Sequence, residues 1–95
     1  MGSAFEWDED NRLSTMEKHG IDFRDAQLLF DGRPVLTRSS SRQGESRSTS
    51  TGIIGEKFYT VIWTVRESTI RLISARRARD AEERKYREVY GERAG

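Results

Sequence analysis

The residues of this chain whose types and spacing suit chemistry are Lys18-His19-Gly20 and the arginines at and around Ile70 to Arg79. His19 is the single histidine and there is no cysteine, which excludes paired-imidazole nuclease chemistry, HExxH metal centres and zinc fingers. At the end of a helix an imidazole either bonds the last free carbonyls or is held cationic by the negative helix terminus and acts as a general acid. Lys18, beside it, is either a solvated cation or a second proton-handling group. Arg71 stands among apolar residues of a strand and has two readings. It pairs with a carboxylate such as Glu6 or Glu45, or it joins Arg47, Arg76 and Arg79 in holding phosphate, whose oxygens match a bidentate guanidinium. No Gly-rich phosphate loop, nucleophile elbow or carboxylate metal cluster is present.

The scaffold for these side chains centres on Phe58 to Ala78. Phe58 to Val65 is aromatic and β-branched and reads as a strand covered on most of both faces. Arg66, Glu67 and Ser68 break the run and Thr69 to Ala75 resumes it, so the two segments form a hairpin across about three polar residues. Strict alternation sets Arg71 with Ile73 and Ala75 on one face and Ile70, Leu72 and Ser74 on the other. By that parity Arg71 and Arg76 face opposite ways unless Arg76 turns round at the strand end. Phe5 to Trp7 reads as an edge strand. Asp8 caps a helix with Leu13 and Met16 on one stripe and a stop at Gly20; Asp22 caps a second that carries Phe23, Ala26 and Phe30. Pro34 to Thr37 and Arg47 to Ile54 read as strands, with Ser39 to Ser46 a flexible loop between them and Gly52 and Gly55 bracketing a turn. Arg79 to Arg93 reads as a helix whose Tyr86, Val89 and Tyr90 make an apolar stripe too narrow for deep burial.

Ninety-five residues suffice for one core, and with 34% hydrophobic against 35% charged that core is thin. The whole chain, residues 1–95, reads as a single domain in which Met1 to Ala4 are native or an expression remnant. A net charge of +1 gives no global pull on nucleic acid, so any such attraction comes from a local basic face. Disulfides are excluded, no apolar run reaches the ~18 residues of a membrane span, and a cytoplasmic address is the expectation. These observations define a small α+β domain with a basic edge.

Four pieces in order carry a more specific resemblance: Phe5-Glu6-Trp7-Asp8; Lys18-His19-Gly20 with Phe23 and Ala26; Glu45 and Arg47 ahead of Gly52; and Ile70 to Arg76 followed by Ala78, Glu82, Arg84 and Tyr86. Together they resemble the BrnT family of toxins from bacterial type II toxin–antitoxin systems, over nearly the whole span from Phe5 to Tyr86. The resemblance implies a RelE-like α+β fold with an antiparallel sheet, two short N-terminal helices and a C-terminal one. It implies an endoribonuclease that cleaves RNA and halts translation, neutralised by a BrnA-like antitoxin whose ribbon-helix-helix region carries the pair to operator DNA. Two departures stand out: Thr15 where the family tends to have Asn, and a Ser48-Thr49-Ser50-Thr51 run where it is more apolar.

Cleaving RNA without a metal or other cofactor requires a base for the 2′-OH, cations for the phosphorane and an acid for the leaving oxygen. Arg47, Arg71 and Arg76 fit the cationic role, His19 or Lys18 the proton-handling one, and Glu45 the base. Arg42, Arg66 and Arg79 would extend the contact with substrate. The competing reading is a non-catalytic module whose basic face binds protein or nucleic acid without breaking a bond.

Overall fold

A computed structural model describes residues 5–42 and 45–91, without the side chains of Arg42 and Glu45. Strands β4 (Lys57–Arg66) and β5 (Thr69–Arg77) form its central ladder. Around them lie β1 (Phe5–Trp7), β2 (Leu36–Arg42) and β3 (Glu45–Ile54), giving the order β1-β5-β4-β3-β2. Four strands are antiparallel, but β1 runs parallel to β5, pairing Phe5 with Ile70 and Trp7 with Leu72. The sheet is therefore mixed, not antiparallel throughout. A parallel edge is possible because most of the chain lies between the two strands, ample length for a crossover.

The β3–β4 and β4–β5 hairpins each close on two residues. Ile54 pairs with Lys57 across Gly55-Glu56, and Arg66 pairs with Thr69 across Glu67-Ser68. All four turn residues have positive φ, between 51° and 74°. This left-handed pair matches the twist of the flanking strands, which is why it outcompetes the cost of placing Glu and Ser there. Ile53 and Ile54 accordingly belong to β3, and the turn falls two residues later than the glycine bracket suggested.

The expected loop from Ser39 to Ser46 is also largely strand, because β2 and β3 pair from Leu36↔Thr51 out to Arg42↔Glu45. The polar Ser48 to Thr51 run is held in the sheet by hydrogen bonding. Buried Ser50 contacts Thr37 Oγ1 at 2.8 Å and accepts from Trp63 Nε1 at 2.9 Å, while Thr51 and Thr60 hydroxyls meet at 2.8 Å. Buried polar side chains are tolerable when paired in this way. Met1 to Ala4 lie outside the described residues.

One sheet face carries the core. Helix α1 (Glu9–His19) is capped by Asp8, which accepts from Asp10 N–H, and stops at Gly20 with φ 70°. Leu13 and Met16 remain exposed, and the helix buries Thr15 instead. The second helix is shorter than its apolar spacing suggests: α2 (Phe23–Ala26) is one turn, continued by a 3₁₀ turn over Gln27–Phe30. Phe23, Ala26 and Leu29 nevertheless share one buried side and pack on Val61, Leu72 and Ala75. Edge-to-face rings complete this layer, with Phe5 on Phe30 at 5.5 Å, Phe30 on Trp63 at 5.3 Å and Trp7 on Phe23 at 5.9 Å.

Helix α3 (Asp80–Tyr90) covers part of the opposite face. Its Tyr86 is buried, edge-on to Phe58 at 5.2 Å, so the stripe is anchored inside the chain more deeply than its width suggested. Val89 remains exposed, and Tyr90 donates from its hydroxyl to the Val35 carbonyl at 2.6 Å.

Gly52 lies where the 3₁₀ turn presses on β3: a Cβ there would come within 2.7 Å of Leu29 Cδ2 and 3.0 Å of Val35 Cγ1. Gly52→Ala is expected to destabilise the fold by ~1–3 kcal/mol through overpacking, read as a lower urea midpoint at unchanged m-value.

Candidate functional site

The arginines meet because β5 contains one residue too many. Trp63 pairs with Leu72 but Ile62 pairs with Ser74, leaving Ile73 as a bulge. A bulge inserts a single unpaired residue and so shifts strand parity by one. Leu72 and Ala75 both reach the core, although regular alternation would separate them. Arg71 and Arg76 accordingly share the other face, correcting the opposite-face expectation from sequence.

On that face the register forms rows across the sheet. The outer row runs from Ser40 to Arg47 and, one step beyond Ser48↔Trp63, to Thr64, then to Arg71 and Glu6. At ~4.8 Å per strand, the Cα atoms of Arg47 and Arg71 are roughly 10 Å apart. The next row contains Arg38, Thr49, Ile62 and Ser74; the third contains Leu36, Thr51, Thr60 and Arg76. Helix α3 closes over the third row only, through Glu82.

Each strand arginine has a distinct setting. Arg71 reaches Glu6 at 3.2 Å in a part-exposed ion pair, as its apolar neighbours had suggested. Arg76 is gripped more firmly: Nη1 and Nη2 donate to the two Glu82 oxygens at 2.8 and 2.9 Å. Glu82 also accepts from Thr60 Oγ1 at 3.0 Å and from the backbone N–H of Arg79 at 2.8 Å. These donors, Arg76 first, hold its carboxyl at a pKa of about 2 against burial, which alone would raise it. In the sequence Glu82 stands out only as part of a motif; its position three residues after the N-cap was the available signal for a helix-start carboxylate. Arg77, on the core side after the bulge, stacks over Tyr59 at 5.7 Å.

The remaining candidates divide. Arg47 is exposed on β3 and engaged in interactions of its own. Arg66 is exposed at the end of β4, and Arg79 is the exposed N-cap of α3. Glu45 opens β3 with its Cα paired to that of Arg42, two positions before Arg47; both side chains lie outside those described. Lys18 and His19 are exposed in the last turn of α1, where the sequence placed them. Among the described residues no hydrogen bond or ion pair ties either one to the arginines.

Arg47, Arg71 and their neighbours spread over half a sheet define a small α+β domain with a cationic open face. Residues 7–82 match the family model described as "Ribonuclease toxin, BrnT, of type II toxin-antitoxin system", and the chain belongs to that family. It is thus a member of a family of ribonuclease toxins, with an RNA target and an antitoxin partner implied by that membership. No curated protein matches the chain. No helix among the described residues is long and apolar enough to cross a membrane.

The depressed Glu82 pKa makes a prediction about stability. A carboxyl titrating lower in the folded than in the unfolded chain stabilises the fold above its unfolded pKa, near 4.5, and loses that contribution as pH falls towards about 2. Glu82→Gln is expected to cost on the order of 2 kcal/mol at neutral pH, with the gap to wild type closing between roughly pH 5 and pH 2. Thermal melts across that range measure it.

Proposed function

We propose that this chain cleaves RNA without a metal, halts translation in the cytoplasm, and is silenced by a BrnA-like ribbon-helix-helix antitoxin. A RelE-like fold, with the whole chain forming one toxin domain, is part of the same reading. The observation that carries it is the Ile73 bulge, which turns Arg71 and Arg76 to the face that also holds Arg47.

The chemistry divides among these groups. A phosphodiester on the open rows would lie between Arg47 and Arg71, whose guanidiniums donate to its non-bridging oxygens. Those bonds strengthen as the 2′-oxygen attacks and charge grows on the phosphorane. Glu45 takes the 2′-OH proton, and His19 or Lys18 protonates the leaving 5′-oxygen. Arg42, Arg66 and Arg79 hold the flanking phosphates. Arg76, with its fork filled by Glu82, contributes charge to the field of the site while fastening α3 to the sheet.

Purified protein incubated with RNA, with and without EDTA, is expected to give chelator-insensitive cleavage with 2′,3′-cyclic or 3′-phosphate ends. RNA binding with no cleavage at high enzyme concentration would instead establish the non-catalytic module. Arg71→Ala is expected to lower cleavage by ~10²–10³-fold. Its melting temperature should stay near wild type, since a part-exposed ion pair contributes only ~0–1 kcal/mol. Arg76→Ala should lose both activity and stability, because it leaves a half-buried Glu82 without its main partner. Growth arrest on expression, scored beside soluble yield, separates the two cases.

A further inference from the structure

The cationic face becomes concave beside α3. A groove of about 180 Å³ runs between that helix and β2, floored by Thr49 and Thr51, with Arg38 and Ser40 along one wall and Glu82 and Lys85 along the other. It is smaller than the ~300–1,000 Å³ of a drug-sized pocket and suits one link of a chain.

Its charge favours an anion. Glu82 is compensated by Arg76, Thr60 and the Arg79 N–H. Among the described residues Lys85 pairs only with Glu88, at 3.6 Å, an exposed pair of little strength. Arg38 has no carboxylate partner among the described residues. The floor contributes hydroxyls: an ionised Glu82 can only accept, so Thr60 donates to it and the Thr51 hydroxyl must donate to Thr60. The Thr51 oxygen is left as an acceptor, the complement of a donor such as a ribose 2′-OH. The groove also leads onward, since Ser40 pairs with Arg47 and the Arg47 row continues to Arg71.

We propose that this groove is a ribonucleotide subsite, with Arg38 and Lys85 holding a phosphate and the threonine floor facing the sugar, one nucleotide along the strand from the bond under attack. The proposal rests on the ribonuclease reading of the face. Neither cation touches the reacting atoms, so both act in binding and positioning.

The test is steady-state cleavage of a labelled RNA by the full chain, comparing wild type, Arg38→Ala, Lys85→Ala, the double variant, and Lys57→Ala as a charge-matched control on the far hairpin. Both groove side chains are exposed, and matched melting temperatures verify folding. The double variant is expected to raise KM about tenfold at unchanged kcat, the signature of weakened uniform binding. Its log-log salt dependence should flatten by ~0.7 for each phosphate no longer neutralised. Arg38→Lys should recover part of the affinity. Unchanged KM and salt slope in an active enzyme overturn the groove and leave the ribonuclease reading standing. Loss of antitoxin affinity alone assigns the groove to the antitoxin and also overturns the proposal. A wild type that neither binds nor cleaves RNA overturns both readings together.

Discussion

The β4–β5 ladder, with its one-residue bulge at Ile73, is the constraint on which the other parts depend. Before the bulge the core-facing residues of β5 are Ile70 and Leu72; after it, Ala75 takes that role. Without the extra residue, either Ala75 or Leu72 would face solvent and the small core under α2 would be one member poorer. Packing therefore fixes the bulge, and the bulge fixes the arginines. A stability requirement on one face of the sheet sets the charge geometry on the other.

The two faces solve different problems. The core face is closed by aromatic edges, by α1, and by the one-turn α2 with its 3₁₀ continuation. The other face is only half covered, and its cover is held by the Arg76–Glu82 fork, the Thr60–Glu82 bond and the ring of buried Tyr86 on Phe58. Hydrogen-bonded ion pairs are directional, and losing one partner leaves a costly charge behind. Such a fastening orients α3 with Tyr86 as the one residue of the helix that is buried. The consequence is a sheet half that stays open, lined with guanidinium groups, beside a helix whose placement is nonetheless defined.

Within that arrangement the arginines are not equivalent. Arg76 is half structural, Arg71 leans on an exposed carboxylate that solvent screens, and Arg38 meets no carboxylate among the described residues.

By itself the sequence determined the elements whose signals are local. Asp8, Gly20 and Asp22 marked helix boundaries because capping depends on the few residues next to the terminus. Phe58 to Val65 announced a strand by composition, although only Thr60 and Val61 in it are buried and Val65 is exposed, and Glu6 was among the partners named for Arg71 because an arginine amid apolar residues needs a carboxylate. The family resemblance was likewise carried by short motifs in order. What the tertiary structure alone decided was everything that depends on pairing across the chain. The Ile73 bulge has no local signature, since a slipped parity is visible only against a partner strand. The same holds for the Ser48 to Thr51 run, polar by composition yet buried once Thr37, Thr60 and Trp63 supply its bonds. Glu82 became the partner of Arg76 only when α3 folded back over β4 and β5. Parity, hydroxyl pairing and ion-pair choice are relations between strands, and a linear reading contains the members of each relation without the register that joins them.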